Sequence, residues 1–240
     1  MNRLQAPMGA LPDDPGRIRV WDLPTRLFHW LLATCMVAAF VSAQSGGYTA
    51  QRIHFLCGYA VLVLVGFRLS WGFAGSRYAR FAQFVRGPVT TLRYARALIG
   101  KSATAEAPGY PGHNPLGALS VLALLTACGV QAVSGLFSKD DIASEGPLAR
   151  HVSDAVVDRL SGIHDTGQSV LVGLLALHLA AIVFYRWVKR ENLVGPMITG
   201  DKFVAPDAEP LAAQDSALWP RALLLLAANL LIVGMIVGMA

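Results

Sequence analysis

The sequence predicts an all-α, polytopic membrane protein: a four-helix bundle plus a fifth C-terminal transmembrane helix. Three observations lead there. Of 240 residues, 54% are hydrophobic and only 15% charged, with a mean hydropathy of +0.48, greasier than an ordinary soluble domain. The apolar residues fall into five runs, each long enough to cross a hydrocarbon core of roughly 30 Å as a helix. Four histidines lie inside or at the edge of those runs, where an ionisable group is costly and marks a function. Disordered, collagenous and small disulfide-stapled classes are excluded, because aliphatic residues dominate and there are only 3 cysteines.

Residues 1–20 are polar and proline-bearing, without the apolar stretch of a secretory signal, so a cytoplasmic N-terminal segment is expected. The transmembrane domain is expected over 21–200. Its first span runs from about Leu27 to Ala43 and its second from about Ile53 to Phe73. Between spans two and three, Gly87-Pro88 precedes a short interfacial helix over Val89–Ile99, with Leu92, Leu98 and Ile99 set against Arg93 and Arg96. Asn114-Pro115, an N-cap followed by proline at the first helical position, opens the third span, about Leu116 to Phe137. The fourth covers about Ile163 to Val188. Residues 201–219, rich in Pro, Ala and Asp, read as a cytoplasmic linker to a fifth helix within 220–240, where Gly234 and Gly238 form a helix-packing pair. All five tryptophans fall near span ends, where an amphipathic ring prefers to lie.

Charge fixes the expected orientation. With the N-terminus inside, sixteen of the 20 basic residues face the cytoplasm, whereas Arg52, Lys139, Arg150 and Arg159 face outward among Asp and Glu. The positive-inside rule selects N-terminus in and C-terminus out, in a bacterial plasma membrane. The pI near 9.4 reflects that asymmetry and an attraction to membrane lipid, with no nucleic-acid partner implied. Cys35, Cys57 and Cys128 act as small hydrophobes, and no C-x-x-C-H exists to hold a haem covalently.

His164 and His178 stand fourteen residues apart on the fourth span. That separation falls only about 40° short of four full turns, so both rings leave one face, roughly 21 Å apart. Depth then pairs His29 with His178 on the inner side and His54 with His164 on the outer side. Two neutral imidazoles on facing helices can take both axial positions of a haem iron. Low bulk beside such a macrocycle is expected at Gly58, Gly66, Gly162, Gly167 and Gly173. Zinc suits the pattern less well, because two histidines fall short of four ligands. A proton relay would want carboxylates in the helix interiors. Arg68, fourteen residues after His54, shares its face at the inner depth; it either pairs with a haem propionate or snorkels to the interface. His113 and His151 are expected to be solvated or capping, with His113 the next choice for a propionate or quinone contact.

The stretch from Val20 through Asp22, Pro24, Arg26 and His29 to Trp30 resembles the opening of the prokaryotic cytochrome b561 family. That family is related to the b-type cytochrome subunits of nickel-iron hydrogenases and the gamma subunits of formate dehydrogenases. Arg68–Gly72, Gly112–Gly117, Glu191–Leu193 and Met197–Gly200 are similar too. The resemblance covers about Arg17 to Lys202. It implies two non-covalent b-type haems held by histidines of the first, second and fourth helices, and His29, His54, His164 and His178 match those positions. The fifth helix departs from the four-helix core.

The expected function is a di-haem cytochrome of a respiratory chain, passing electrons between the quinone pool and a periplasmic cytochrome c or a redox enzyme subunit. Any oxidoreductase activity would be electron transfer at a haem edge, with no catalytic side chain. Two rivals stand beside it: a membrane anchor for a hydrogenase- or dehydrogenase-type complex, and a haem-free ion or metal carrier using the histidines. Self-association is compatible with either.

Overall fold

A computed structural model describes residues 17–99, 110–139, 145–203 and 218–239. Its framework is five long helices: α1 (Leu23–Ser45), α2 (Gly47–Ala74), α5 (Pro115–Gly135), α6 (Asp154–Trp187) and α8 (Trp219–Gly238). Each meets the length and hydropathy of a membrane span. Short helices α3 (Phe81–Phe84), α4 (Pro88–Ile99) and α7 (Val194–Thr199) lie in the connections, and strand β1 (Arg17–Arg19) pairs antiparallel with β2 (Asp201–Phe203). The helix expected over Val89–Ile99 thus begins one residue earlier, at Pro88. Most of the expected linker, 204–217, lies outside the described residues, as do 1–16.

Helix ends follow from local chemistry. Asp22 caps α1, its Oδ1 accepting from Thr25 N at 2.6 Å, and Asn114 caps α5 by accepting from Gly117 N at 2.8 Å. Between α1 and α2 the chain reverses over Gly46 and Gly47, at φ +64° and +84°, a conformation that favours glycine. Both spans outrun their expected bounds because apolar periodicity marks only the hydrocarbon-level part. This is clearest in α6, whose 34 residues extend about 50 Å at 1.5 Å each. Its first turns, with Asp154, Asp158 and Arg159, therefore stand beyond the apolar slab.

Helix α1 packs along α2, α2 on α5 and α5 on α6, while α8 lies against α2. Helix α6 has no comparable interface with α1 or α2, so the bundle stays open along that seam. Two apolar clusters hold the rest. One gathers Phe28, Leu64, Phe67, Trp71 and Leu125, the other Val61, Val65, Cys128 and Leu171. Trp71 is wholly buried and Trp21 nearly so, so these two rings pack in the core, unlike exposed Trp187.

One end of the bundle gathers distant segments. Val20 N and Trp21 N donate to Gly200 O at 2.9 and 3.0 Å, Arg26 Nη1 donates to Ile198 O at 2.5 Å, and Trp30 Nε1 to Met197 O at 3.2 Å. Asp22 Oδ2 accepts from Trp71 Nε1 at 3.1 Å and from Ser76 Oγ, tying the start of α1 to the end of α2. This is the basic end, carrying Arg26, Arg68, Arg77, Arg80 and Arg86.

Candidate functional site

Two histidine levels flank the open seam. At the end away from the basic one, His54 of α2 faces His164 of α6, with ring centroids 6.1 Å apart and planes at 82°. His54 Nδ1 lies 2.9 Å from Ala39 O, and His164 Nδ1 lies 2.9 Å from Gln131 O. A carbonyl oxygen only accepts, so each Nδ1 carries the proton and each Nε2 keeps its lone pair. This is how ligating imidazoles are oriented: the second nitrogen donates to a carbonyl and fixes the tautomer. Gln131 itself is anchored, donating from Nε2 to His164 O at 2.9 Å. Gly135 makes the arrangement possible, since a Cβ there would sit 2.8 Å from His164 Cε1.

Near the basic end, His29 of α1 and His178 of α6 lie within electrostatic range of each other, and His29 Nδ1 is buried without a hydrogen-bond partner. Arg68 reaches the same region and is only 2% exposed. That removes the snorkelling alternative for this side chain: Phe81 and Phe84 of α3 lie against it. Its guanidinium carbon is 5.0 Å from the Phe81 ring centre and 5.9 Å from that of Phe84. Asp22 is within electrostatic range, yet Arg68 Nη1 has no partner. A buried guanidinium with a free donor is a ready seat for an anion.

His113 overturns its expectation. It is neither solvated nor a cap, since Asn114 caps the helix and the His113 ring packs between Trp21 and Phe84, 4.6 Å from each ring centre. Its Nδ1 is enclosed without a partner. Burial, with Arg68, His178 and His29 nearby, pushes its pKa down to about 3. The side chain is therefore neutral at neutral pH and belongs to the basic-end level. His151 is exposed as expected, and contacts Met239 O at 3.2 Å.

The residues fit a flat, bis-imidazole-ligated macrocycle. A Cβ at Gly58, Gly162 or Gly173 would meet nothing within 4 Å, so space remains beside them. Gly66 and Gly167 are corrections: the space at each is taken by Asn229 and Gln131 respectively, making them helix-packing glycines. Among the described residues no cluster of three or more His, Cys, Asp or Glu side chains could hold a metal ion by itself. Sequence reasoning missed Asp22, Gln131 and Gly135. Asp22 had a local signal, Asp-Leu-Pro at a helix start; the other two act only through partners distant in sequence.

Comparison with known proteins shows the family. The family model described as prokaryotic cytochrome b561 matches residues 20–200. A probable Ni/Fe-hydrogenase B-type cytochrome subunit of Rhodobacter capsulatus is 23% identical over 219 residues, covering 79% of this chain and 83% of that protein. Its namesake in Azotobacter vinelandii is 25% identical, covering 79% and 90%. The one in Cupriavidus necator is 22% identical, covering 75% and 85%. No solved structure matches the chain significantly.

Proposed function

Because the chain belongs to the prokaryotic cytochrome b561 family, a group of electron-transferring b-type membrane cytochromes, we propose that it carries electrons across the membrane through two haems. His54 and His164 would hold one, and His29 and His178 the other. The observation that carries this reading is the facing pair His54 and His164, each with Nδ1 committed to a backbone carbonyl and Nε2 free. Haem b would supply a one-electron iron couple when bound. The chain's own residues do the rest. Ala39 O and Gln131 O hold the tautomers, the open seam and Gly58, Gly162 and Gly173 leave room, and Arg68 offers its free Nη1 to a propionate. The basic end is cytoplasmic in this reading, in the bacterial inner membrane, and the quinone pool exchanges electrons there, with a periplasmic redox partner at the other end.

A second reading is favoured by the relatives' names, which describe subunits of hydrogenases: this chain then conducts electrons for a docked redox enzyme. Purification under mild detergent separates the two by the presence of a stoichiometric partner. The haem assignment is tested by a pyridine haemochrome count on the same sample. Two haems per chain, all removed by acid-acetone, are expected; one haem, or none, would overturn it.

A further inference from the structure

Between Asp22 and Glu106 the sequence contains no acidic residue. At the basic end this leaves Arg77 and Arg86 with no hydrogen-bond or ion-pair partner for either side chain among the described residues. Both line a cleft of about 270 Å³, which Tyr78, Gln83, Tyr110 and His113 complete. No carboxylate lines it. Unpaired arginines held around a cleft of this size suit a phosphate, which accepts from planar guanidinium forks and hydroxyls together.

The surroundings identify where such a phosphate comes from. Helix α4 follows the cleft directly and is amphipathic, exposing Val89 and Leu92 as well as Arg93 and Arg96, the pattern of a helix lying in a membrane interface. It is pinned to the bundle: Tyr94 and Tyr185 share a hydroxyl–hydroxyl bond of 2.8 Å, and Asn114 Nδ2 donates to Tyr185 Oη at 2.8 Å. The cleft is therefore fixed at headgroup height, with exposed Val85 between it and α4 as an apolar path for acyl chains. A zwitterionic headgroup would bring its own cation against Arg77 and Arg86, whereas an anionic one brings none.

We propose that this cleft is a specific site for the phosphate of one anionic phospholipid from the leaflet on which α4 lies. The site is distinct from the general attraction of a basic loop to a negative surface, because it needs two particular arginines and not merely the charge. It stands whether or not the histidines carry haem.

The test uses the full chain, purified and placed in nanodiscs containing phosphatidylglycerol and phosphatidylcholine, with bound lipid counted by native mass spectrometry. One phosphatidylglycerol should survive delipidation. The double variant Arg77→Gln/Arg86→Gln should weaken its binding at least tenfold, while Arg93→Gln/Arg96→Gln, equal in charge change but outside the cleft, should not. Tyr110→Phe, which keeps the ring, gives a second check through a smaller loss. Equal loss in both double variants would reduce the effect to diffuse surface attraction and overturn the proposal. Equal retention of phosphatidylcholine, or displacement of the lipid by millimolar inorganic phosphate, would overturn it as well.

Discussion

Replacing Gly135 by alanine tests whether the His54–His164 level is as tightly specified as its geometry implies. The new Cβ would lie 2.8 Å from His164 Cε1 and 3.1 Å from Nδ1. Carbon atoms prefer about 3.5–4.0 Å, so the imidazole must retreat by about 0.7–1.2 Å. Its Nδ1 now lies 2.9 Å from Gln131 O, and a retreat of that size stretches the bond past any useful length. Loss of that bond costs about 0.5–1.5 kcal/mol, and overpacking adds about 1–3 kcal/mol. The larger effect falls on the ligand: losing the partner that orients a ligating histidine typically costs about 10–100-fold in affinity. Haem titration followed by reduced-minus-oxidised spectra should show one component weakened by that factor and the other intact. Gly129→Ala on the same helix is the control, since its Cβ would stand 3.7 Å from Val65, an ordinary contact. Equal loss of both components, or an unchanged spectrum in Gly135→Ala, would falsify the claim that Gly135 and Gln131 hold His164 as a ligand.

Further outcomes are open to direct measurement. His29→Ala and His178→Ala should remove the same spectral component, and His54→Ala and His164→Ala the other; a crossed pattern refutes the pairing. Arg68→Leu should lower the potential of the His29–His178 component by the equivalent of on the order of 1–2 kcal/mol, as expected for a unit charge at an effective dielectric of about 20. Potentiometric titration should find the other component nearly unmoved. His113 has a folded pKa of about 3 against an ordinary 6.5, so the unfolded chain takes up its proton first as pH falls. Stability from this group is full above pH 6.5 and is lost progressively towards pH 3, by up to about 2 kcal/mol at pH 5. Denaturation midpoints should show a shallower acid slope in His113→Phe. An alkaline phosphatase fusion after Ala240 should be active and one near Ala213 inactive; the reverse refutes the orientation.

The histidine levels were legible in the sequence because a helix in a membrane turns residue number into depth. Given five spans alternating in direction, His29 near the start of one and His178 near the end of another had to share a level, and His54 and His164 the opposite one. No comparable rule predicts which side chain covers a given site. Arg68 left two readings open because its cover, Phe81 and Phe84, comes from a four-residue helix too short to show periodicity. His113 was misjudged for a related reason: it precedes the apolar run, and only packing between Trp21 and Phe84 reveals that its ring is half-buried.

The same distinction explains the glycines and the aspartate. Gly58 and Gly66 look alike on α2, yet one borders open space and the other receives Asn229 from α8. The difference depends on where the fifth helix docks, which apolar periodicity does not specify. Asp22 reads locally as an α1 cap, but its second oxygen binds Trp71 and Ser76, so one carboxylate joins the ends of α1 and α2. That places His29 and Arg68, carried by those two helices, relative to each other before any cofactor arrives. A buried carboxylate with three donors is costly to break. Asp22 therefore helps preorganise the basic-end level. Across the seam, α6 has no extensive interface with α1 or α2, so what brings His178 towards His29 is its packing on α5. The bundle is thus rigid where the helices meet and open where the histidines face, which is the division of labour a flat ligand between helices requires.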